Sequence, residues 1–314
     1  MADVVCVGIL VADAVAKPVD SWPERGKLVL VDRMSLHLGG CASNAGVGLA
    51  KIGVSLAVVG KLGCDGFGDF LIGVMDRAGI DTRGIVRDPE TNTSATMVMV
   101  HGDGERSFVH YLGANAAFTD TDVDWNVVAG ARMLHIAGAL LMPAFDGEPT
   151  ARVLRRAKES GIQTCLDSAW DSRNRWMSAL EPCLPHVDVF LPSIEEAKMI
   201  TGREQPQEIA QVLVDHGVGI VGLKMGEQGC FIRAGDTTLR LPAYQIQPMD
   251  ATGAGDAFVA GFLTGLVKGW DLERTGRFAN AVGALATLAI GTTAGVRNLD
   301  ETLAFMESTP TRTV

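Results

Sequence analysis

Asp250-Ala-Thr-Gly-Ala-Gly-Asp256-Ala-Phe258 runs directly into the apolar segment Val259 to Val267. Gly253 and Gly255 remove side chains where a chain must turn tightly, and the segment after them has helical length and spacing. The stretch reads as a loop that opens a buried helix. A helix begun on such a turn leaves its first backbone N–H groups without intrahelical partners, and the positive end of its dipole adds to their field. The result is an anion hole with the Asp256 carboxylate inside it. A carboxylate there is electrostatically awkward unless it has a task, such as taking a proton from a substrate hydroxyl beside the γ-phosphate of a nucleotide. The plain alternative is that Asp250 or Asp256 merely caps the helix. Two aspartates bracketing Thr-Gly-Ala-Gly ahead of an apolar helix favour the phosphate site.

This stretch resembles the C-terminal signature of the ribokinase-like (PfkB) carbohydrate kinases, Asp-Thr-x-Gly-Ala-Gly-Asp, with Ala251 where Thr is common. The resemblance implies that Gly253, Ala254 and Gly255 offer amides to the transferred phosphoryl group and that Asp256 is the catalytic base. A second stretch points the same way. Gly39-Gly40-Cys-Ala-Ser-Asn44 leads into an Ala-rich segment whose Val47, Leu49, Ala50 and Ile52 share one helical face, with Gly53 as a natural C-cap. Alone, it reads equally well as a Gly-Gly turn with Asn44 as an N-cap. It is similar to the family's N-terminal signature, Gly-Gly-x-x-x-Asn-x-Ala, in which the glycines let substrate approach and the Asn binds a sugar hydroxyl.

The chain has 314 residues, 47% of them hydrophobic and 20% charged. That supports one large α/β domain and argues against global disorder. Its 37 glycines exceed the usual share of roughly 7% and gather between apolar runs, as tight strand-to-helix turns require. A net charge of −10 with no basic run speaks against a nucleic-acid partner. A nucleotide would then rely on backbone amides and Mg²⁺ rather than many lysines. The cysteines at 6, 41, 64, 165, 183 and 230 show no Cys-x-x-Cys spacing, which implies buried free thiols in a reducing compartment. With no basic N-terminal region and no apolar run of the roughly 20 residues that span a bilayer, the expected location is cytoplasmic and no membrane partner is expected.

In chain order, Val4 to Leu10 reads as a buried first strand, and 12 to 38 as an excursion into a small sheet, with strands at Leu28 to Asp32 and Met34 to Leu38. Thr93 to Val100 and Ser107 to Tyr111, joined by Gly102-Asp-Gly104-Glu, read as a hairpin of the same sheet. In the resembling kinases such a sheet, here about 12–38 and 93–112, is a lid over the sugar; Arg106, His110 and Tyr111 are candidates to line it, although for any one of them a plain exposed strand position is the preferred reading. Closing a lid excludes water from phosphoryl transfer. The rest alternates strands (Met133 to Ile136, Gln163 to Asp167, Val187 to Leu191, Gly219 to Lys224) with helices (Glu148 to Ser160, Arg173 to Leu180). That pattern predicts a doubly wound, mostly parallel sheet with helices on both faces and ligands beyond the carboxyl ends of the strands. Ser308 to Val314 reads as a frayed tail.

The resemblance assigns the remaining site residues. Asp13 and Asn44, with Gly39 and Gly40, hold substrate hydroxyls; Asp167 and Arg173 are candidate polar contacts from their own place just past a strand end. Leu191-Pro192-Ser193-Ile194-Glu195-Glu196 is similar to the family's Pro-Asn-x-x-Glu element, which organises Mg²⁺ and phosphate through water. Glu196 matches, while Ser193 replaces the Asn and also reads as a helix cap. Met225-Gly226-Glu-Gln-Gly229 is similar to a turn beside the nucleotide, Lys224 reads either as a phosphate contact or as a solvated strand end, and the resemblance puts Asn280 near the adenine. A monovalent cation such as K⁺ at Asp250 has weaker support. The implied function is ATP- and Mg²⁺-dependent phosphorylation of a hydroxyl on a sugar or sugar acid, by a homodimer paired through the lid. The alternatives are a nucleoside kinase of the same superfamily and a non-catalytic nucleotide or sugar sensor.

Overall fold

The structure is a computed structural model that describes residues 2–313. Nine strands form the central sheet: β1 (Val4–Gly8), β4 (Leu56–Gly63), β5 (Asp81–Asp88), β8 (Met133–Ala139), β9 (Gln163–Ser168), β10 (Val189–Phe190), β11 (Ile220–Lys224), β12 (Cys230–Ala234) and β13 (Thr237–Leu241). Their order is β13-β12-β11-β10-β9-β8-β1-β4-β5. All pairs from β11 to β5 are parallel, and the β12–β13 edge is antiparallel. A parallel strand covered on both faces has no wet side, which explains why β1 and β8 are apolar throughout their buried length apart from His135.

Helices cover both faces, as βαβ crossovers require. They are α1 (Cys41–Ile52), α2 (Gly66–Arg77), α3 (Trp125–Val128), α4 (Glu148–Glu159), α5 (Met177–Leu180), α6 (Ile194–Thr201), α7 (Pro206–Asp215), α8 (Ala254–Val267), α9 (Leu272–Ala286) and α10 (Leu299–Ser308). One core cluster carries α4, α6 and α7, and the other carries α1, α2, α8 and α9. Helix α8 is buried around most of its circumference because small residues let its neighbours close in. A Cβ at Gly48 of α1 would come within 2.9 Å of Ala260, and one at Gly261 within 2.8 Å of the Ala279 backbone in α9. No helix among the described residues is long and apolar enough to cross a membrane.

A separate four-stranded sheet has the order β3-β2-β6-β7, from β2 (Val11–Lys17), β3 (Arg33–Gly39), β6 (Ala95–Val100) and β7 (Arg106–Tyr111). It is the lid sheet expected from the sequence, with four strands, but Val11–Lys17 supplies the strand that was expected at Leu28 to Asp32. Leu28 to Asp32 forms no strand: it is a loop with Leu28 76% and Leu30 86% exposed. The helix expected over Arg173 to Leu180 shrinks to Met177–Leu180, because Asn174 and Trp176 take positive φ angles of 54° and 38° that a helix cannot accommodate. The tail is pinned where fraying was expected, with Thr311 bridging Tyr244 and the Arg312 amide donating to the Ala243 carbonyl at 2.8 Å.

Candidate active site

Helix α8 begins as the glycines demand. Gly253 is its N-cap at φ 79°, and a Cβ there would strike the backbone of Thr292. No side chain caps the helix. The Ala254 amide closes a turn onto the Ala251 carbonyl at 3.2 Å, while among the described residues the amides of Gly253, Gly255 and Asp256 have no hydrogen-bond partner. Three open donors at the positive end of a buried helix form an anion site. The Ala254 N–H, expected to meet the phosphoryl group, is engaged by this turn instead.

Asp256 lies at this helix tip without capping it. Its Oδ2 accepts a hydrogen bond from Asn44 Nδ2 at 2.8 Å, which joins the first turns of α1 and α8. The Cys41 Sγ and carboxylate oxygens of Asp167 and Asp256 all lie within 4.8 Å of one another. Lys224 Nζ approaches Asp167 Oδ2 at 4.0 Å, and it would lie 3.5 Å from a Cβ at Gly255. Burial raises the Asp256 carboxyl above its ordinary value, opposed by Asn44, Lys224 and Cys41. Burial likewise lifts Asp167 to about 7, with Lys224 opposing and the Asp256 charge adding. Lys224 is raised in spite of its burial because Asp167, Glu196 and Asp256 surround it. The Cys41 thiol is held protonated by burial and by the charges of Asp256 and Asp167. Lys224 therefore offsets part of the negative charge of the cluster.

The lid sheet carries a polar row around Asp13, next to the Gly39–Gly40 turn that opens α1. Asp13 is in register with His37 on one side and Thr96 on the other, and Thr96 with His110. Thr96 Oγ1 and His110 Nδ1 are 3.0 Å apart, and Ser35 Oγ and His37 Nε2 are 2.7 Å apart. A Cβ at Gly39 would strike the Asp13 carboxylate, and one at Gly40 (φ 92°) would meet the Ile9 carbonyl oxygen at 2.5 Å. Gly39 is thus needed for the close packing against Asp13, and Gly40 for that against the Ile9–Val11 backbone. Burial pushes the Asp13 carboxyl up to about 6, against the Thr96 hydrogen bond. Arg106 and His110 share the side of β7 that carries this row, whereas Tyr111, two-period alternation dictates, faces away.

The other expected residues divide. Ser193 caps α6 in a capping box with Glu196. Glu196 Oε2 accepts from the Ser193 amide at 3.0 Å and from Ser168 Oγ at 3.1 Å, while its other oxygen has no partner among the described residues. Gly226 faces open space, but a Cβ at Gly229 would hit the 241–243 backbone. Asn280 is buried and spends its amide on the carbonyls of Leu241 and Pro242 at 3.2 and 3.1 Å, so its part is to hold that loop. Arg173 is exposed and forms no ion pair among the described residues; its neighbour Arg175 is the structural one, bonded to Asp146 at 2.9 Å and to the Leu140 carbonyl at 2.7 Å. Asp250, expected as a cation ligand, is engaged by Arg106 Nη2 at 2.8 Å. Sequence reasoning placed Arg106 only on the lid lining, and it passed over Cys41 and Thr96. The alternation of β7 was a usable signal for the face of Arg106, but no pattern in the sequence linked it to Asp250.

Known proteins resemble this chain along most of its length. The model of the "pfkB family carbohydrate kinase" matches residues 1–299. Fructokinase-1 of Oryza sativa subsp. japonica is 30% identical over 285 residues, covering 86% of this chain and 88% of the relative. The 2-dehydro-3-deoxygluconokinase of Bacillus subtilis is 25% identical, covering 91% of each chain. The structure of Arabidopsis thaliana ribokinase complexed with ribose and ATP superposes with a TM-score of 0.85 at 24% identity, covering 98% of this chain and 99% of that one. The chain belongs to the pfkB family of carbohydrate kinases and is a sugar kinase, a phosphotransferase with an alcohol group as acceptor.

Proposed function

We propose that this kinase transfers the γ-phosphoryl group of ATP to a hydroxyl of a sugar or sugar acid, with Asp256 as the base. The observation that carries the reading is the placement of a carboxylate, held by Asn44 at 2.8 Å, beside the open amides of Gly253 and Gly255. Asp13, Asn44 and the Gly39–Gly40 backbone orient the substrate so that one hydroxyl faces the phosphorus in line. The bond from the γ-phosphorus to the β–γ bridging oxygen breaks as the substrate oxygen bonds to phosphorus, and the hydroxyl proton passes to Asp256. The amides at the tip of α8 meet the charge on the transferred group, and Lys224 balances Asp167 next to them. Lys224, Ser193 and the turn from Gly226 to Gly229 border the nucleotide, with Asn280 supporting the loop at 241–243.

The donor set fits Mg²⁺ bound through water. The unpartnered oxygen of Glu196 is a hard anionic acceptor, and its other oxygen is fixed by Ser193 and Ser168. When bound, Mg²⁺ supplies charge neutralisation of the phosphates. For Asp250 the favoured counter-charge is Arg106 rather than K⁺, since the guanidinium already bonds to that carboxylate.

The opposite side of the lid supports a homodimer. Alternation places Met34, Met97, Val109 and Tyr111 on the side away from Asp13, and all four are exposed. An apolar sheet face of this kind is covered by pairing with its twin. Five of the six cysteines are buried or half-buried and all six are free, which supports a reducing, cytoplasmic setting.

A second reading rests on Phe108. It shares the site-facing side of β7 with His110 and is 61% exposed, so it offers an aromatic surface to a nucleobase. A coupled assay of ADP release across neutral sugars, sugar acids and nucleosides tests both readings. A turned-over sugar or sugar acid supports the first, a preferred nucleoside supports the second, and no turnover with any of them contradicts both.

A further inference from the structure

Resting on the kinase reading above, we propose that Arg106 is a positioning residue that makes the phosphoryl-binding loop competent only while the lid lies over it. Arg106 opens β7, at the end of the lid hairpin. Its Nη2 lies 2.8 Å from Asp250 Oδ1, and its Nη1 bonds to Thr252 Oγ1. The Asp250 side chain is only 4% exposed. Its Oδ1 also accepts the Thr252 amide at 2.9 Å, and its Oδ2 accepts the Gly291 amide at 3.0 Å. One carboxylate thus gathers the lid, the loop that turns into α8 and the loop after α9. A second contact ties the same parts, from Thr292 Oγ1 to the Leu38 carbonyl in β3 at 3.1 Å. The backbone of Thr292 is what would meet a Cβ on Gly253, so this loop forms the wall that sets the cap of α8.

Electrostatics gives the arrangement its direction. Asp250 lies three positions before the N-cap of α8, next to amides that would receive a phosphoryl group. An uncompensated carboxylate there would oppose an incoming phosphate, and in a partly buried site the opposition is weakly screened. Arg106 cancels that charge and fixes the Thr252 hydroxyl and hence the start of the turn. A raised lid withdraws the guanidinium, leaving Asp250 anionic and the turn held by one side chain fewer. Amides at 253 and 255 then lose both their field and their fixed aim. Water would reach the nucleotide only in the state where the cradle is weak, which protects ATP from hydrolysis while no sugar holds the lid down.

The test compares wild-type protein with Arg106→Gln and Arg106→Lys, measuring turnover of the sugar selected in the panel and hydrogen exchange of the two bonded amides of the loop, Thr252 and Ala254. The expected result for Arg106→Gln is a loss in kcat of at least ~100-fold, the scale of one lost charge-stabilising donor, with the sugar KM within about threefold of wild type. Arg106→Lys restores at least ~10-fold of that loss, because it keeps the charge without the fork. Exchange at Thr252 and Ala254 speeds up by ~10-fold in Arg106→Gln while amides of β1 and β8 keep their protection. Unchanged exchange at Thr252 and Ala254 overturns the proposal, whatever the turnover, and so does a kcat within about threefold of wild type. Should wild-type protein turn over nothing in the panel, the kinase reading fails, and the exchange measurement still decides the part played by Arg106.

Discussion

Asn44 Nδ2 donates to Asp256 Oδ2 at 2.8 Å across 212 positions of sequence. The bond joins two helix N-termini that each follow a glycine turn, Gly40 before α1 and Gly253 before α8. It stabilises the ionised carboxylate against burial, which works to protonate it. A proton acceptor must be ionised, so activity falls as pH drops through the raised Asp256 value. Asn44→Ala removes a lowering influence and moves that value further up. The pH–rate profile of kcat/KM for Asn44→Ala is expected to show its acid limb displaced to higher pH, with kcat/KM at pH 7 down by ~100-fold or more. An acid limb at the wild-type position would count against this coupling.

Asp13 sits at a cost to the fold. Burial lifts its carboxyl to about 6 from the ordinary 3.8. The penalty of ionising it in the folded state is full above about 6 and absent below the unfolded value. Asp13→Asn is therefore expected to stabilise the protein at pH 8 by about 2 kcal/mol, with the gain fading on acidification and gone near pH 3.8. The same variant should raise the sugar KM, since it gives up the anionic acceptor. Thermal unfolding from pH 4 to 8 alongside substrate titration checks both. Equal melting temperatures at every pH would show that the carboxylate is not strained by its surroundings.

Lys224 is expected to hold the acidic cluster together. Its side chain is 13% exposed and that of Asp167 is 2% exposed. Lys224→Met leaves Asp167, Asp256 and Glu196 without their common counter-charge, at a cost of about 3 kcal/mol in unfolding free energy. Adding Asp167→Leu removes the stranded buried charge and should recover most of that stability without recovering turnover. Denaturant melts and initial rates on the three proteins separate the two effects. A double variant no more stable than Lys224→Met would remove the case for a shared buried pair.

Two aspartates, two glycine pairs and one asparagine made the heart of the site legible in the sequence, because glycine at those turns has few substitutes. Gly253 and Gly40 have φ of 79° and 92°, and each has backbone where a side chain would stand. The parallel sheet was equally readable, since strands buried on both faces are apolar without alternation. Elements fixed by distant partners were not. Leu28 to Leu30 has β-forming residues but no neighbouring strand to pair with. Arg173 and Arg175 are both two residues apart from a helix-like context, yet Asp171 accepts the amides of Arg173, Arg175 and Trp176 and winds the segment into a loop. Nothing local distinguishes the arginine that meets Asp146 from the one left in water. The pairing of Arg106 with Asp250 is of the same kind, set by how the lid hairpin folds back on the body.

The exposed side of the lid gives a prediction about assembly. Val109 and Met97 are in register on β7 and β6, and both are about half exposed. Val109→Asp places a charge in the middle of the proposed pairing face. Sedimentation should show wild-type protein as a dimer and Val109→Asp as a monomer with its melting profile nearly intact. A monomeric wild type would remove the lid-paired dimer from the account.

The central claim is that the carboxylate of Asp256 accepts the proton of the substrate hydroxyl. The direct measurement is the turnover of Asp256→Asn with ATP, Mg²⁺ and the preferred sugar, together with its ATP affinity and far-UV spectrum. The amide nearly preserves the shape of the side chain and cannot take the proton. The account predicts an unchanged fold, ATP binding near the wild-type value and a kcat lower by ~1,000-fold or more. Turnover close to that of wild type would contradict it.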